Sequence, residues 1–330
     1  MTAQNFLRRA TVLALLATWA SAWLPHAIAQ SYPTRPVRII VPVPPGGIQD
    51  TVARAISFEL TKAWGQTVIV DNRPGATGII AAELVATSPP DGYTLFMTDS
   101  VTWMTNQFLR PKLPYDPVKD FQTVVGLVRT GNILVAPPDF PAANLQELIA
   151  LARAKPGELT YGSFGIGSSP HVDTEAISAL AGIKMVHIPY KGGPDILKGL
   201  LGGQISFSLT GLQPALPLVR QGRIKALAYG GPQRSPTLPD VPTLSESGLP
   251  GFESGAWFGW LAHAGVPAPV VSKVAADVAR IITAPEFREK YITGVGFELL
   301  NLTPDQFEQL MQATRVQYGP RLKALNLRLD

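Results

Sequence analysis

The stretch Val37-Arg38-Ile39-Ile40-Val41-Pro42-Val43-Pro44-Pro45-Gly46-Gly47-Ile48-Gln49-Asp50 decides the fold of this chain. It opens with a β-branched run that predicts a buried strand ending at Pro42. Two glycines then allow a turn that other residues avoid, and Val52, Ile56 and Leu60 lie on one face of a following helix. A strand that runs through a glycine turn into a helix is the repeating unit of an α/β sheet, so an α/β fold is predicted.

Strand and helix patterns go on alternating along the chain, which predicts parallel sheets covered by helices. Short β-branched or apolar runs predict further strands at 67–70, 94–97, 185–188, 205–209, 224–228 and 256–262. Capping signatures and apolar residues four apart predict helices at 145–154, 269–283 and 304–325. Residues 231–252 hold five prolines and three glycines, which is too many for a regular element and indicates a surface connection.

The N-terminus has the organisation of a secretory signal. Arg8 and Arg9 form a basic region, residues 10–23 are apolar and uncharged, and Ala27-Ile28-Ala29 offers small residues for cleavage. The apolar run is shorter than the roughly 20 residues that a membrane-spanning helix needs. We therefore predict that residues 1–29 are a signal peptide and that the mature chain leaves the cytoplasm. The export route, Sec or twin-arginine, stays open because the match to a twin-arginine signal is poor.

Composition excludes several classes of protein. Loss of Arg8 and Arg9 leaves 26 lysines and arginines against 24 acidic residues, a net charge of +2, and no basic cluster suited to nucleic acid occurs. The chain contains no cysteine, so disulfides and thiolate chemistry are excluded. With 46% hydrophobic residues over its 330 positions, the chain can bury a large core, most naturally as two domains.

Two shifts in composition, near 125–132 and 253–256, predict where the chain passes between those domains. They fit a path that leaves one α/β domain, builds a second and returns to the first. We therefore predict domain 1 from residues 30–127 and 254–330, and domain 2 from residues 128–253. The cleft between such domains is a natural ligand site.

A second glycine-rich loop, residues 161–171, also leads from a strand into a helix. Its three glycines and three serines concentrate hydrogen-bond donors at the helix start, where the positive end of the helix dipole lies. Together with the 44–50 loop, it predicts an anion held from two sides. From the residues alone, Asp50 is better explained as a helix cap, and His171 as a support of its loop, than as ligand contacts.

Signatures of enzymes are missing from the sequence. There is no phosphate-binding G-x-x-x-x-G-K-[ST], no G-x-S-x-G nucleophile elbow and no H-E-x-x-H metal motif. The histidines that follow the signal, His171, His187 and His263, are too widely spaced to indicate a metal site. The sequence therefore predicts no enzyme, no cofactor and no metal.

Several short motifs, taken in order, carry a resemblance to a known family. They are Tyr32-Pro33-x-Arg35-Pro36, Pro44-Pro45-Gly46-Gly47-x-x-Asp50, Asp71-Asn72-Arg73-Pro74-Gly75-Ala76, Pro90-Asp91-Gly92-Tyr93, Pro189-Tyr190-Lys191-Gly192, Leu201-Gly202-Gly203-Gln204 and Leu238-Pro239-Asp240-Val241-Pro242-Thr243. In combination they resemble the Bug-type extracytoplasmic solute receptors, the binding subunits of tripartite tricarboxylate transporters. The resemblance covers essentially the whole mature chain.

The resemblance implies a periplasmic-binding-protein fold of type II, the Venus-flytrap arrangement of two α/β domains around a ligand cleft. It implies a periplasmic monomer that captures a small carboxylate, either a dicarboxylate or an aromatic carboxylate, for membrane permease subunits. Gly46, Gly47 and Asp50 match the first ligand loop, and Ser163, Gly167, Ser168 and His171 match the second. Ser100, Thr210 and Trp257 complete the predicted ligand-binding set. Backbone amides, hydroxyls and ordered waters, rather than an arginine, are expected to hold the anion.

Departures from the family pattern bear on the ligand and its use. Thr210 stands near the position where many members carry Asp, which disfavours an amino-acid ligand, and Trp103 would narrow the pocket or stack on a flat ligand. Lys191 is predicted to be an ordinary exposed loop lysine. A carboxylate sensor that docks on a membrane signalling protein is the alternative function. A secreted hydrolase is opposed by the missing nucleophile motifs.

Overall fold

The computed structural model describes residues 32–46, 48–110 and 112–325. The chain divides into two units, Met1–Thr34 and Arg35–Asp330. In the first unit, residues 32–34 form neither helix nor strand, and the predicted signal peptide at 1–29 lies outside the described residues. All the elements below belong to the second unit.

Helices and strands alternate through most of the second unit, as the sequence predicts. The helices are α1 (Ile48–Trp64), α2 (Ile79–Ala86), α3 (Ser100–Leu109), α4 (Leu145–Ala154), α5 (Ser169–Ala181), α6 (Gly193–Leu201), α7 (Leu212–Arg220), α8 (Ala268–Thr283), α9 (Pro285–Tyr291) and α10 (Pro304–Ala324). The strands are β1 (Val37–Val41), β2 (Val68–Asn72), β3 (Thr94–Asp99), β4 (Phe121–Ala136), β5 (Thr160–Ser163), β6 (Val186–Pro189), β7 (Phe207–Gly211), β8 (Lys225–Tyr229), β9 (Gly255–His263) and β10 (Glu298–Leu302). Within the described ranges, no helix combines the length and the apolarity that crossing a membrane requires.

The strands join in one sheet, and within the described residues their order is β2-β1-β3-β9-β4-β7-β5-β6, with β8 and β10 also paired to β4. Strands toward both ends of this order are parallel: β1 pairs with β2 and β3, and β5 pairs with β6 and β7. The central strands β9 and β4 run antiparallel to their neighbours. Because parallel strands need helical crossovers, the helices cover the sheet and the α/β prediction is confirmed.

One strand passes through both halves of the sheet. Up to Gly131, β4 pairs with β9, and from Asn132 onward it pairs with β7 and β8 instead. β9 begins beside this point at Gly255, which pairs with Gly131. The residue at which β4 changes its pairing partner lies in the composition shift at 125–132. The start of β9 lies in the shift at 253–256. The exact domain boundaries drawn from those shifts stay a prediction.

Apolar clusters fill the space between the sheet and its helices. Two clusters of the described chain are built from residues 133–252 alone, one around Tyr161 and Phe207 and the other on α6 and α7. Another is built mainly on α2, α3, α10 and β9 around Phe96 and Phe307. Burying side chains of this size stabilises a fold by roughly 1.5–3 kcal/mol each. The apolar clusters are thus divided between the two halves of the sheet, and β4 changes its pairing partners at the same place.

Local signals place several elements where the sequence predicts them. Asn144 caps α4, since its Oδ1 accepts the N–H of Glu147 at 2.9 Å, and Thr303 forms a reciprocal capping box with Gln306 at α10. The sequence pattern predicts neither β4 nor β10. All five residues of β10 are half-buried, so this strand lacks the alternation by which a strand is recognised.

Candidate ligand-binding cleft

A cavity of about 710 Å³ lies where six helices of the described chain begin. It is lined by the first residues of α1, by the residues just before α2, α6 and α7, by the first turn of α3 and by the start of α5. The first N–H groups of a helix have no partner within the helix, and the helix dipole adds partial positive charge there. Such ends around one cavity suit an anion without any cluster of basic side chains.

Side chains of several kinds line the cavity. The apolar ones are Pro42, Val43, Pro44, Ile48, Pro74, Phe164, Ile166, Pro194, Pro214, Ala256 and Phe258. Those with hydroxyl or amide groups are Gln49, Thr77, Thr102, Thr130, Asn132, Ser168 and Ser169. Asp99 is the one acid and Lys191 the one base among the described lining residues. The cavity therefore suits a ligand with an anionic group and an apolar body.

The first predicted loop closes on itself through Asp50. The N–H of Gly46 donates to Asp50 Oδ2 at 2.9 Å. Arg54 Nε and Asn72 Nδ2 donate to the same carboxylate at 3.0 and 2.9 Å. Burial raises the pKa of Asp50, but these donors outweigh burial and hold the pKa below its ordinary value. Gly46 and Asp50 lie outside the lining of the cavity, and Gly47 lies outside the described residues.

The second predicted loop reaches the cavity through Gly167 and Ser168. Ser168 Oγ donates to the carbonyl of Gly165 at 2.7 Å, and Ser163 Oγ donates to the same carbonyl at 3.1 Å. Ser163 is fully buried, and its Oγ also lies 2.6 Å from His187 Nε2. The hydroxyls of this loop therefore fix its path, with Ser163 behind the residues that line the cavity.

His171 supports the same loop from behind. Its Nδ1 accepts the N–H of Gly167 at 3.1 Å, and its ring stacks on His187 with centroids 4.0 Å apart. Burial, together with the charge of His187, lowers the pKa of His171 to about 4. His171 is therefore neutral near pH 7, which keeps Nδ1 a hydrogen-bond acceptor.

The remaining predicted residues do not line this cavity. Ser100 and Trp257 line a separate cavity of about 100 Å³, and Trp257 Nε1 donates to Thr314 Oγ1 at 2.8 Å. Thr210 is fully buried, one residue before Gly211 of the cleft lining. Ligand contact stays a prediction for these residues, as it does for Gly46, Gly47, Asp50, Ser163, Gly167, Ser168 and His171.

A family model described as tripartite tricarboxylate transporter family receptor matches residues 52–327. The chain belongs to this family. Protein BugT of Bordetella pertussis is 32% identical to the receptor over 303 residues, 92% of each chain. Among solved structures, R. palustris Rpa4515 with adipate shows 32% identity and a TM-score of 0.81 over 90% of this chain and 99% of that one. MatC from Rhodopseudomonas palustris with bound malate shows 33% identity and a TM-score of 0.77 over 88% and 100%.

These similarities confirm two predictions from the sequence. The chain is a Bug-type receptor, and its fold is the two-domain α/β fold of periplasmic solute-binding proteins. Because the family consists of receptors, the chain is a solute-binding protein and not an enzyme.

In this receptor a buried hydrogen-bond network joins the cleft to the point where β4 changes its pairing partner and β9 begins. Asn132 lines the cleft and donates from Nδ2 to Ser169 Oγ at 3.1 Å and to Ser254 Oγ at 2.9 Å. Ser254 Oγ donates in turn to Asp173 at 2.6 Å, and Asp173 pairs with Arg321 at 2.9 Å. The network thus ties α5, which begins at the cleft, to α10, to β4 and to the residue that precedes β9.

Gln49, Asp99 and Thr102 are cleft residues that motif analysis of the receptor misses. Asp99 ends β3 and accepts the N–H of Thr102 at 3.0 Å, so it caps the start of α3. An acid at the end of an apolar strand, three residues before a threonine, is a signal that would have revealed this turn. Gln49 gives no such signal, because a polar residue in the first turn of a helix is ordinary.

The His171→Asn variant is expected to have a flatter pH dependence of stability than the wild-type receptor. Between pH 6.5 and about 4, the unfolded chain protonates His171 and the folded receptor does not, so stability falls as the pH falls through this window. Asparagine can accept the N–H of Gly167 without titrating. Within this window, the free energy of unfolding of the variant should therefore depend less steeply on pH than that of the wild type. The difference in slope corresponds to about one proton, or about 1.4 kcal/mol per pH unit. Urea unfolding at pH 7 and across the window measures this slope for the wild type and for the variant. Equal slopes would contradict the conclusion that folding lowers the pKa of His171.

Proposed function

We propose that this receptor is periplasmic and captures a small carboxylate for a tripartite tricarboxylate-type transporter. One observation carries the proposal: helix N-termini meet at a cavity whose lining, in the described ranges, holds a single lysine and no arginine. Main-chain N–H groups at the starts of α5 and α6, with the hydroxyl of Ser169, would hold the carboxylate. The adipate of Rpa4515 and the malate of MatC support a ligand of this class.

The apolar part of the lining bears on the rest of the ligand. Phe164, Ile166 and Phe258 place aromatic and aliphatic surface along the cavity, and Ile166 is 51% exposed. A dicarboxylate with a methylene chain, or an aromatic carboxylate, would bury apolar area against them. Each Å² removed from water contributes about 25 cal/mol. An apolar body therefore adds to the affinity that the carboxylate provides.

We also propose that residues 30–127 with 254–330, and residues 128–253, are domains that close on the ligand. A Cβ atom on Gly255 would lie 2.2 Å from the carbonyl oxygen of Thr130, so the crossing strands approach as closely as glycine allows. At this point β4 and the segment that leads into β9 pass between the two halves. Rotation there would press both walls of the cavity onto the ligand.

The place of action follows from the N-terminal pattern. Residues 1–29 support export of the mature chain to the periplasm. There the receptor would act as a monomer and deliver its ligand to permease subunits in the membrane, the partners that the family description implies.

A carboxylate ligand is expected to raise the melting temperature of the purified mature receptor. Bound ligand stabilises the folded state by RT ln(1 + [L]/Kd), about 2.7 kcal/mol at a hundredfold excess over Kd. The panel contains adipate, malate and benzoate, each paired with its neutral amide as the control. Acids should shift the melting temperature and amides should not. Equal shifts for acid and amide, or no shift with any carboxylate, would contradict the proposal.

A further inference from the structure

Asp99 is an acid in a cavity that otherwise attracts anions. It lines the cavity with 9% of its surface exposed. Thr102 donates to it twice, from its N–H to Oδ1 at 3.0 Å and from its Oγ1 to Oδ2 at 2.8 Å. Gln49 donates from Nε2 to Oδ2 as well. These donors and the N-terminus of α3 stabilise the ionised carboxylate.

The contact with Asp99 also decides which way the amide of Gln49 points. An ionised carboxylate only accepts hydrogen bonds, so the amide nitrogen must face Asp99. The amide oxygen is buried without a hydrogen-bond partner in the part of the chain that the structure describes. The amide keeps this orientation although its oxygen makes no hydrogen bond among the described residues. Gln49 and the Thr102 hydroxyl thus direct their donors toward Asp99 and not toward a ligand in the cavity.

In the other half of the sheet, groups that suit a carboxylate line the cavity with no acid among the described lining residues. They are the lining residues Ser168, Ser169, Lys191, Gly192 and Gly193 at the starts of α5 and α6. Lys191, predicted to be an ordinary loop lysine, lies on this wall of the cavity and brings a positive charge to it. The two walls of the cavity therefore differ in electrostatic character. The wall at α5 and α6 offers N–H groups, hydroxyls and an ammonium, and the wall at α1 and α3 adds a carboxylate to its own helix starts.

We infer that Asp99 is a specificity-determining residue of the receptor. It accepts a hydrogen bond from a hydroxyl or ammonium group of the ligand, while the wall at α5 and α6 holds the ligand's carboxylate. A second carboxylate placed at Asp99 would meet a like charge at a site largely removed from water, which is unfavourable. This inference rests on the proposed function and narrows its ligand class. Carboxylates with a distal hydroxyl or amino group should be preferred over plain dicarboxylates of the same length.

Calorimetric titration of the wild-type receptor tests the ranking directly. Adipate is compared with the ω-hydroxy and ω-amino hexanoates, and succinate with the ω-hydroxy and ω-amino butanoates. Within each set the chain length is constant and only the far group changes. We expect the hydroxy and amino compounds to bind at least about tenfold more tightly than the dicarboxylate. The wild-type ranking decides the question even where a variant fails to fold.

Asp99→Asn removes the charge and keeps the shape of the side chain. It is expected to lower the affinity for the amino compounds at least about tenfold and to leave the affinity for the dicarboxylates equal or higher. Asp277→Asn is the matched control, because the side chain of Asp277 is only 14% exposed and lies outside the cavity lining. It should change all the affinities by one common factor and leave the ranking unchanged.

The outcomes separate the inference from the proposed function. Dicarboxylates that bind the wild-type receptor as tightly as their hydroxy and amino analogues overturn the inference alone. The inference is also overturned if Asp99→Asn lowers every affinity by one factor, since a purely structural role would do that. If no compound of either set binds but malate or benzoate does, the inference is overturned and the proposed function stands. If none of these carboxylates binds, the proposed carboxylate function fails and the inference fails with it.

Discussion

Arg321→Met is expected to lower the free energy of unfolding by about 3–5 kcal/mol. Asp173 is fully buried, and its Oδ1 accepts from Arg321 Nη1 at 2.9 Å. Tyr318 and Ser254 donate their hydroxyls to Oδ2 at 2.9 and 2.6 Å. Burial raises the pKa of Asp173 to about 6 against the opposing effect of these partners, so the carboxylate is ionised at pH 8. Removing the guanidinium would leave a buried charge without its counter-charge.

Urea unfolding at pH 8 measures this loss, and two further variants interpret it. The double variant Asp173→Asn with Arg321→Met should recover most of the stability, because neither partner then carries an unpaired charge. Arg234→Met removes one half of an exposed ion pair with Glu246, whose atoms lie 2.9 Å apart, and should change little. Equal losses in Arg321→Met and Arg234→Met would contradict a special role for the buried pair.

The parts of the fold that sequence reasoning predicts have local causes. The helix at 145–154 carries its own cap, and the apolar spacing of Val52, Ile56 and Leu60 puts these side chains in the core. β4 has a cause of another kind. Its residues are buried on both faces, so they show no alternation, and Phe121 pairs with His263 far along the chain. Patterns within a short window cannot reveal a strand that distant partners define.

The same distinction holds for the candidate cleft. The sequence correctly indicates two glycine loops that lead from strands into helices, because glycine and helix-start signals are local. Which side chains line the cavity depends on partners that the loops do not contain. Asn72, at the end of β2, donates to Asp50 of the first loop, and His187 stacks on His171 of the second loop. Asp99 reaches the cavity because β3 ends beside β1, which only the order of the sheet determines.

Gly78→Ala is expected to lower both the stability of the receptor and its affinity for carboxylates. Gly78 precedes α2 with φ +83°, where an alanine costs about 1–2 kcal/mol. A Cβ atom there would lie 2.5 Å from Thr102 Cγ2 and 3.3 Å from Pro42 Cβ, which adds about 1–3 kcal/mol of overpacking. Thr102 would have to move away from Asp99, and both residues line the cavity. The affinity for the best carboxylate of the panel should therefore fall as well.

Gly65→Ala separates backbone strain from the steric conflict. Gly65 follows α1 with φ +64°, and a Cβ atom there would have no neighbour within 4 Å. This variant should therefore lose only the about 1–2 kcal/mol of the left-handed backbone and bind carboxylates as the wild-type receptor does. Urea unfolding and calorimetric titration of the two variants, side by side, give both quantities. Equal losses of stability with unchanged binding in both variants would mean that Thr102 moves aside freely, and that the packing of Gly78 does not shape the cleft.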